Sequence, residues 1–228
     1  MNQDDSTWRE YNVHGNADDE EDQPINLFAS SNPEDAYETV QYDIDATTKI
    51  NIRSETDYDK STGMSVWKGS EVMCTYLRQH PDIINHKKVL ELGAGCGLCG
   101  LVCRMVLNPE SVMITDGDHQ VLSNLRYNAE NNGLKLVDAT NSTTEDDASR
   151  TISCPQLIWG KNHAMKFSKQ YGTQDIIIAT DCVYIPQSVP PLFETINQLL
   201  HKSGEECWYS DDDREERKHP VHVFRRRS

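Results

Sequence analysis

Apolar and polar residues alternate in two short stretches near the start of the chain. "YETVQYDI" (37–44) turns Val40, Tyr42 and Ile44 to one side, and "KINIR" (49–53) repeats the period with Ile50 and Ile52. Period two is the signature of a half-buried strand, and the intervening "DATT" predicts a β-hairpin. The period then lengthens. In "VWKGSEVMCTYLRQHP" (66–81), Val72, Met73, Tyr76 and Leu77 recur at helical spacing and Pro81 ends the helix. "KKVLEL" (87–92) reads as a buried strand, "GLCGLVCRMVL" (97–107) as an apolar helix, and "SVMITD" (111–116) as a second strand closed by an acid. "HQVLSNLRYNAENNG" (119–133) predicts a helix with Val121, Leu122 and Leu125 on one face and Gly133 as its C-cap. "ISCPQLIW" (152–159) is a strand interrupted by Pro155, which confines it to a sheet edge. "QDIIIATD" (174–181) is a central strand covered on both faces, and "PPLFETINQLL" (190–200) is the helix after it. Beyond the hairpin and first helix the order is β-α-β-α-β-β-α. That order predicts an α/β fold with a doubly wound, mostly parallel sheet.

Composition adds boundaries. Residues 1–35 hold an acidic block, Asp18 to Asp22, and few apolar side chains, so they read as a disordered tail. Residues 36–63 form the hairpin extension, 64–210 the main domain with a polar loop insertion at 138–150, and 211–228 a charged C-terminal tail. The net charge of -15 argues against nucleic acid as a partner, because phosphate backbones repel an acidic chain. No apolar run reaches the ~20 residues of a membrane helix, and no secretory signal is visible. Seven cysteines, an odd count, then point to reduced thiols and a cytoplasmic or nuclear location.

The chemistry concentrates in "VLELGAGCGLCG" (89–100), over which two cofactor patterns can be laid. From Gly95 it spells G-x-G-x-x-G (Gly95, Gly97, Gly100), a dinucleotide loop. From Glu91 it spells E-x-G-x-G-x-G (Glu91, Gly93, Gly95, Gly97), a loop for S-adenosylmethionine. Asp116, about 20 residues on, accepts ribose hydroxyls in either case and does not discriminate. A dinucleotide loop sets its first glycine at the strand end, whereas Gly95 stands three residues beyond Leu92. An acid inside the apolar strand, Glu91, suits a sulfonium cofactor with an amino-acid tail, or else serves only to bind loop amides.

"MSVWKGSEVMCTYL", "VLELGAGCGLCGL", "TDGD", "LIWG" and "ATDCVY", in that order over roughly residues 64–204, resemble the seven-β-strand (class I) protein methyltransferases called methyltransferase family 16. The resemblance implies a Rossmann-like fold, S-adenosyl-L-methionine as cofactor, and transfer of methyl groups to a protein lysine. It marks Trp67, Glu91, Gly93, Ala94, Gly95, Asp116, Trp159 and Thr180 as cofactor contacts, and Asp181 and Tyr184 as the D-x-x-Y substrate motif. Relatives often carry Ala where Thr180 stands. The implied partner is a protein such as calmodulin, a chaperone or a translation factor, met by a monomer.

Asp181 ends the central strand, where open α/β sheets place their chemistry, and can accept a hydrogen bond from an incoming amine. Tyr184 would wall the lysine channel, Trp159 would stack on adenine, and Trp67 would cover the methionyl end. Cys96, Cys99 and Cys103 have a redox or metal spacing, but no fourth ligand lies at recognisable spacing, so the reading is no metal. The charged stretch "DDDREERKHPVHVFRRRS" has room for one short strand, "VHVF", and not for the helix and hairpin that end this fold, so the C-terminal strands look truncated. "ECWYS" (206–210) is the remaining strand candidate. Three readings stand on the sequence alone: an active lysine methyltransferase, a cofactor-binding interaction protein impaired in catalysis, or a small-molecule methyltransferase or dinucleotide oxidoreductase.

Overall fold

Two antiparallel strands, β1 (Tyr37–Asp43) and β2 (Lys49–Glu55), form the expected hairpin, with Val40 opposite Ile52 and Tyr42 opposite Ile50. The computed structural model describes residues 36–56, 62–138, 150–201 and 221–224. The acidic segment 1–35, most of the polar insertion and "ECWYS" lie outside the described residues. β2 packs against helices and buries Ile50 and Ile52 completely, whereas Val40, on the outer strand, is exposed and not inward as its period implied. The hairpin is no appendage. Ile44, Ile50 and Ile52 share one apolar cluster with the three helices that follow.

Those helices are α1 (Lys68–Gln79), α2 (Leu98–Val106) and α3 (His119–Asn131), and between them run β3 (Lys88–Leu92) and β4 (Ser111–Thr115). In α1, Met73 and Leu77 are buried and Val72 is exposed, so its apolar stripe is narrower than the sequence suggested. Past α3, Gly133 takes a left-handed φ of 77° just beyond the cap residue Asn132. Its amide bonds Glu130 O and the next amide bonds Ala129 O, which satisfies the last carbonyls of the helix.

The free edge of β2 is met by side chains, not by a strand. Asn124 and Asn128 on α3 and its cap residue Asn132, four residues apart, project as a ladder. Asn132 accepts from Asn51 N at 2.9 Å and donates to Asn51 O at 2.8 Å. Asn128 does the same for Arg53, at 2.9 and 3.1 Å, and Asn124 donates to Arg53 O while accepting from Arg53 Nε. The amides of Asn128 and Asn132 thus stand in for peptides of a neighbouring strand. The Arg53 guanidinium then lies 3.6 Å from the Tyr127 ring centroid and 4.6 Å from that of Tyr37.

Beyond α3 come β5 (Lys135–Leu136) and β6 (Thr151–Ile152), then α4 (Lys161–Tyr171), β7 (Ile176–Thr180), α5 (Val189–Leu199) and β8 (Val221–Phe224). The main sheet has the order β4-β3-β7-β8, with β3, β4 and β7 parallel and β8 antiparallel to β7. Part of the expected charged C-terminal tail is therefore a strand of the sheet. Segment 151–157 runs parallel to β4 through bridges at Ser153 and Gln156, and the ladder breaks at Pro155, which has no N–H to give. It is not an outermost strand throughout, because β5 pairs with Thr151 and Ile152 on the far side.

Strict alternation builds two cores. Val89, Val112, Ile114, Ile176 and Ile178 face α1, α2 and α3, while Leu90, Leu92, Met113, Ile177 and Ala179 face α4 and α5. Helices on both faces make the sheet doubly wound, as the element order predicted. The helix α4 was not visible in that order. It buries only Ala164 and Phe167, too few apolar positions to mark a stripe. From β3 the chain passes through α2 to β4 on one side, and later through α4 to β7 on the other. The crevice beyond the C-terminal ends of β3 and β7 is therefore the topological switch point, where such sheets bind ligands.

Candidate active site

A cavity of about 810 Å³ opens at that switch point. Trp67, Gly93, Ala94, Gly95, Asp116, Trp159, Thr180, Asp181 and Tyr184 all line it, so nearly every residue singled out in the sequence converges there. The glycine loop forms one wall. Gly93 and Gly95 hold φ of 61° and 55°, a region that L side chains avoid. A Cβ on Gly93 would stand 2.9 Å from Cys182 Sγ and 3.0 Å from the Trp159 ring, and one on Gly95 would stand 3.1 Å from Gly63 O. Side chains at either position would fill the cradle. Ala94 donates its amide to Thr115 O at 2.9 Å, which ties the loop to the end of β4.

Asp116 follows β4 and is only partly buried. Its Oδ2 accepts from Gly95 N at 3.2 Å and its Oδ1 from Asp118 N at 3.1 Å. Burial pushes its carboxyl above the ordinary range, against the three amides that favour the anion. A carboxylate has about four lone-pair sites, so both oxygens still have room for ribose hydroxyls. Asp116→Ala is expected to weaken cofactor binding by more than tenfold in calorimetry, since charged hydrogen bonds contribute roughly 1.5–3 kcal/mol each. Unchanged affinity in a folded variant would remove Asp116 from the site.

Glu91 is the exception among the predicted contacts. It does not line the cavity: it is 1% exposed, on the side of β3 that faces α2, and its Oε2 accepts from Gly100 N at 2.8 Å. Gly100 is where helix and sheet touch, since a Cβ there would come within 1.9 Å of Ile114 Cγ2 and 2.8 Å of Glu91 Oε2. Glu91 thus fastens β3 to the first turn of α2, beneath the loop. Burial, aided by the nearby Asp116 charge and opposed by the Gly100 bond, pushes its pKa up to about 8 from 4.5. Below pH 4.5 both folded and unfolded chains carry the proton. Between 4.5 and about 8 only the unfolded chain ionises, so stability falls as pH rises through this window. Glu91→Gln keeps an acceptor and removes the titration. The melting temperature of the cofactor-free variant, relative to wild type, should climb from pH 5 to pH 8.5, each pKa unit being worth about 1.4 kcal/mol. A pH-independent difference would refute the buried-acid account.

The opposite wall is built by β7 and the start of α1. Thr180 ends β7, and its Oγ1 lies 3.1 Å from Ser70 Oγ on α1, which gives its hydroxyl a use that alanine lacks. Asp181 follows at a φ of 53°, a left-handed backbone that Asp tolerates better than most residues. Its Oδ2 accepts from Gly69 N at 2.8 Å, in the first turn of α1, so the carboxylate caps that helix. A Cβ on Gly69 would stand 2.3 Å from that oxygen. The rim is aromatic. Trp67, 51% exposed, donates to Thr62 O at 2.7 Å, and Tyr184, 60% exposed, holds its hydroxyl 3.2 Å from Thr62 Oγ1. Thr62 thereby ties the start of α1 to the segment after β7. Nothing in the sequence marked Thr62, Gly69 or Ser70, which carry no chemistry until the fold places them.

Charge decides between the two loop readings. Asp116, Asp118 and Asp181 line the cavity, and no Lys, Arg or His stands among the described residues that do. A pyrophosphate would meet three carboxylates and no cation, whereas a sulfonium meets the sign it needs. A family model described as lysine methyltransferase matches residues 45–222. The chain belongs to that family. Membership brings with it the methyl donor S-adenosyl-L-methionine, and the glycine cradle, the Asp116 carboxylate and the anionic lining fit it. Among curated relatives, the chain is 27% identical to a calmodulin-lysine N-methyltransferase of Arabidopsis thaliana, over 71% of this chain and 49% of that protein. It is 30% identical to the protein N-lysine methyltransferase METTL21A of Xenopus tropicalis, over 68% of this chain and 63% of that one. The chain therefore spans less than two thirds of either relative. Among solved structures it resembles the T. thermophilus 16S rRNA N2 G1207 methyltransferase, with a TM-score of 0.45 and 13% identity over 84% of this chain and 51% of the other.

Cys96 and Cys182 line the cavity, but the cysteines add no nucleophile to it. Cys96, Cys99 and Cys103 are buried, and Cys74 Sγ lies 3.8 Å from Cys99 Sγ. Burial pushes the Cys96 thiol up to about 12 and raises Cys103 likewise, while the Cys74 contact and burial raise Cys99. Such thiols are poor nucleophiles at neutral pH.

Proposed function

We propose that this chain transfers a methyl group from S-adenosyl-L-methionine to the ε-amine of a lysine in a protein substrate. The observation that carries the reading is Asp181, a carboxylate pinned at the mouth of an anionic cavity beside the glycine cradle. When bound, the cofactor supplies an electrophilic methyl on a cationic sulfur. The chain supplies orientation. Asp181, held by Gly69, draws the lysine head into the cavity and accepts a hydrogen bond from it, which fixes the direction of its lone pair. A free lysine has a pKa of about 10.4 and is almost wholly charged at neutral pH. The apolar rim of Trp67, Val183 and Tyr184 opposes that charge by desolvation, while Asp181 favours it. Holding amine and methyl in line is worth up to roughly 7–11 kcal/mol.

The substrate we propose is a protein, supported by relatives named for calmodulin and for EEF2 and by the family description. A reducing compartment, cytoplasm or nucleus, agrees with the buried free thiols. The test is transfer of radiolabelled methyl from S-adenosyl-L-methionine to proteins of a cell lysate, followed by hydrolysis and amino-acid analysis. Label in methyl-lysine is the expected result. Label confined to small molecules, or calorimetric binding of NAD in preference to S-adenosyl-L-methionine, would overturn it.

A further inference from the structure

The cavity poses a problem for one end of its cofactor. S-adenosyl-L-methionine carries an α-carboxylate as well as a sulfonium, and among the described lining residues there is no cationic side chain to receive it. Among these residues only neutral donors are placed to do so. Five hydroxyls line the cavity: Thr62, Ser65, Ser70, Thr180 and Tyr184. Four of them are already paired, Thr62 with Tyr184 at 3.2 Å and Ser70 with Thr180 at 3.1 Å. The fifth is Ser65, whose residue is 5% exposed and whose Oγ has no hydrogen-bond partner.

A buried hydroxyl without a partner is destabilising, so an orphan that borders a ligand cavity is a candidate donor to the ligand. Position narrows the choice. Asp116 holds the ribose side of the site at the end of β4. Ser65 lies two residues before Trp67, on the segment that crosses Gly95 and leads into α1 and Asp181. We propose that Ser65 Oγ–H donates to the α-carboxylate of the bound S-adenosyl-L-methionine, and so helps set how far the methyl reaches towards Asp181. This rests on the cofactor reading above and names a residue within it.

Calorimetry on the full chain tests it with four ligands. For Ser65→Ala, the dissociation constants of S-adenosyl-L-methionine and S-adenosyl-L-homocysteine should rise about tenfold. Those of methylthioadenosine, which lacks the amino-acid arm, and of decarboxylated S-adenosylmethionine, which lacks only the carboxylate, should stay within twofold. The melting temperature of the cofactor-free variant should be equal or higher, because the lost hydroxyl had no partner. Ser65→Cys, similar in size but a weak donor, guards against a packing defect and should fall between alanine and wild type. An equal loss for methylthioadenosine would move the contact to the nucleoside. A loss shared by the decarboxylated ligand would move it to the ammonium, and no loss at all would leave Ser65 without a role; each overturns the proposal. Failure of the wild type to bind S-adenosyl-L-methionine would instead refute the cofactor reading itself.

Discussion

Asp181→Ala should lower methyl transfer at least a hundredfold while cofactor affinity falls only modestly. In the proposed reaction the carboxylate meets the lysine amine and not the ribose, so its loss would remove the orienting acceptor at the point of displacement. It also caps α1 through Gly69 N, which a simple catalytic picture would leave out. Losing that cap costs about 1 kcal/mol, and alanine tolerates the φ of 53° less well than aspartate. The alanine variant will therefore melt lower whether or not Asp181 takes part in turnover, and alone it cannot separate the two roles. Asp181→Asn separates them. Asparagine keeps an acceptor for Gly69 and accepts the left-handed backbone, so its melting temperature should stay near wild type, whereas its turnover should lie between alanine and wild type because the charge is gone. If the asparagine variant melts and turns over like wild type, and alanine loses activity only in step with its stability, Asp181 is a helix cap and nothing more.

That double role bears on what can be read from residues alone. The strands β3, β4 and β7 were legible because their runs are short, apolar and bounded by turns. The glycine loop and Asp116 were legible because ligand-cradling loops need small residues at fixed offsets from a strand. Side-chain direction was not legible. Glu91 sits in the motif yet points to Gly100, away from the cavity, because alternation along β3 turns it, like Val89, towards α2. The helix α4 was missed because its apolar face is two residues wide. Thr62, Gly69 and Ser70 were missed for a further reason. They act by closing hydrogen bonds across more than a hundred residues, or by lacking a Cβ where Asp181 comes close, and no local pattern records either. The asparagine ladder left a trace, N-x-x-x-N-x-x-x-N in α3, but polar residues at helical spacing more often mark a solvated face.

Asn128→Ala should destabilise the fold more than any other substitution in that ladder. Asn128 is fully buried and makes three hydrogen bonds to main chain: it accepts from Arg53 N at 2.9 Å and donates to Arg53 O at 3.1 Å and to Cys96 O at 3.0 Å. Alanine leaves Arg53 N and Cys96 O without that partner, and a buried group so stranded costs about 1–3 kcal/mol. The expected loss is about 2–5 kcal/mol, and each kcal/mol lowers the melting temperature of a chain this size by roughly 2–4 °C. Asn132→Ala should cost less, since Asn132 is only partly buried and its bonds are to Asn51 nearer the hairpin end. Asn131→Ala, on the exposed side of α3, supplies the control for helix propensity. Cys96 belongs to the glycine loop, so Asn128 also ties the hairpin to the cofactor cradle, and the variant should bind S-adenosyl-L-methionine more weakly even at temperatures where it stays folded. A melting temperature for Asn128→Ala no lower than that of Asn131→Ala would show that the ladder holds nothing, and that apolar burial of Ile50 and Ile52 alone keeps the hairpin on α3.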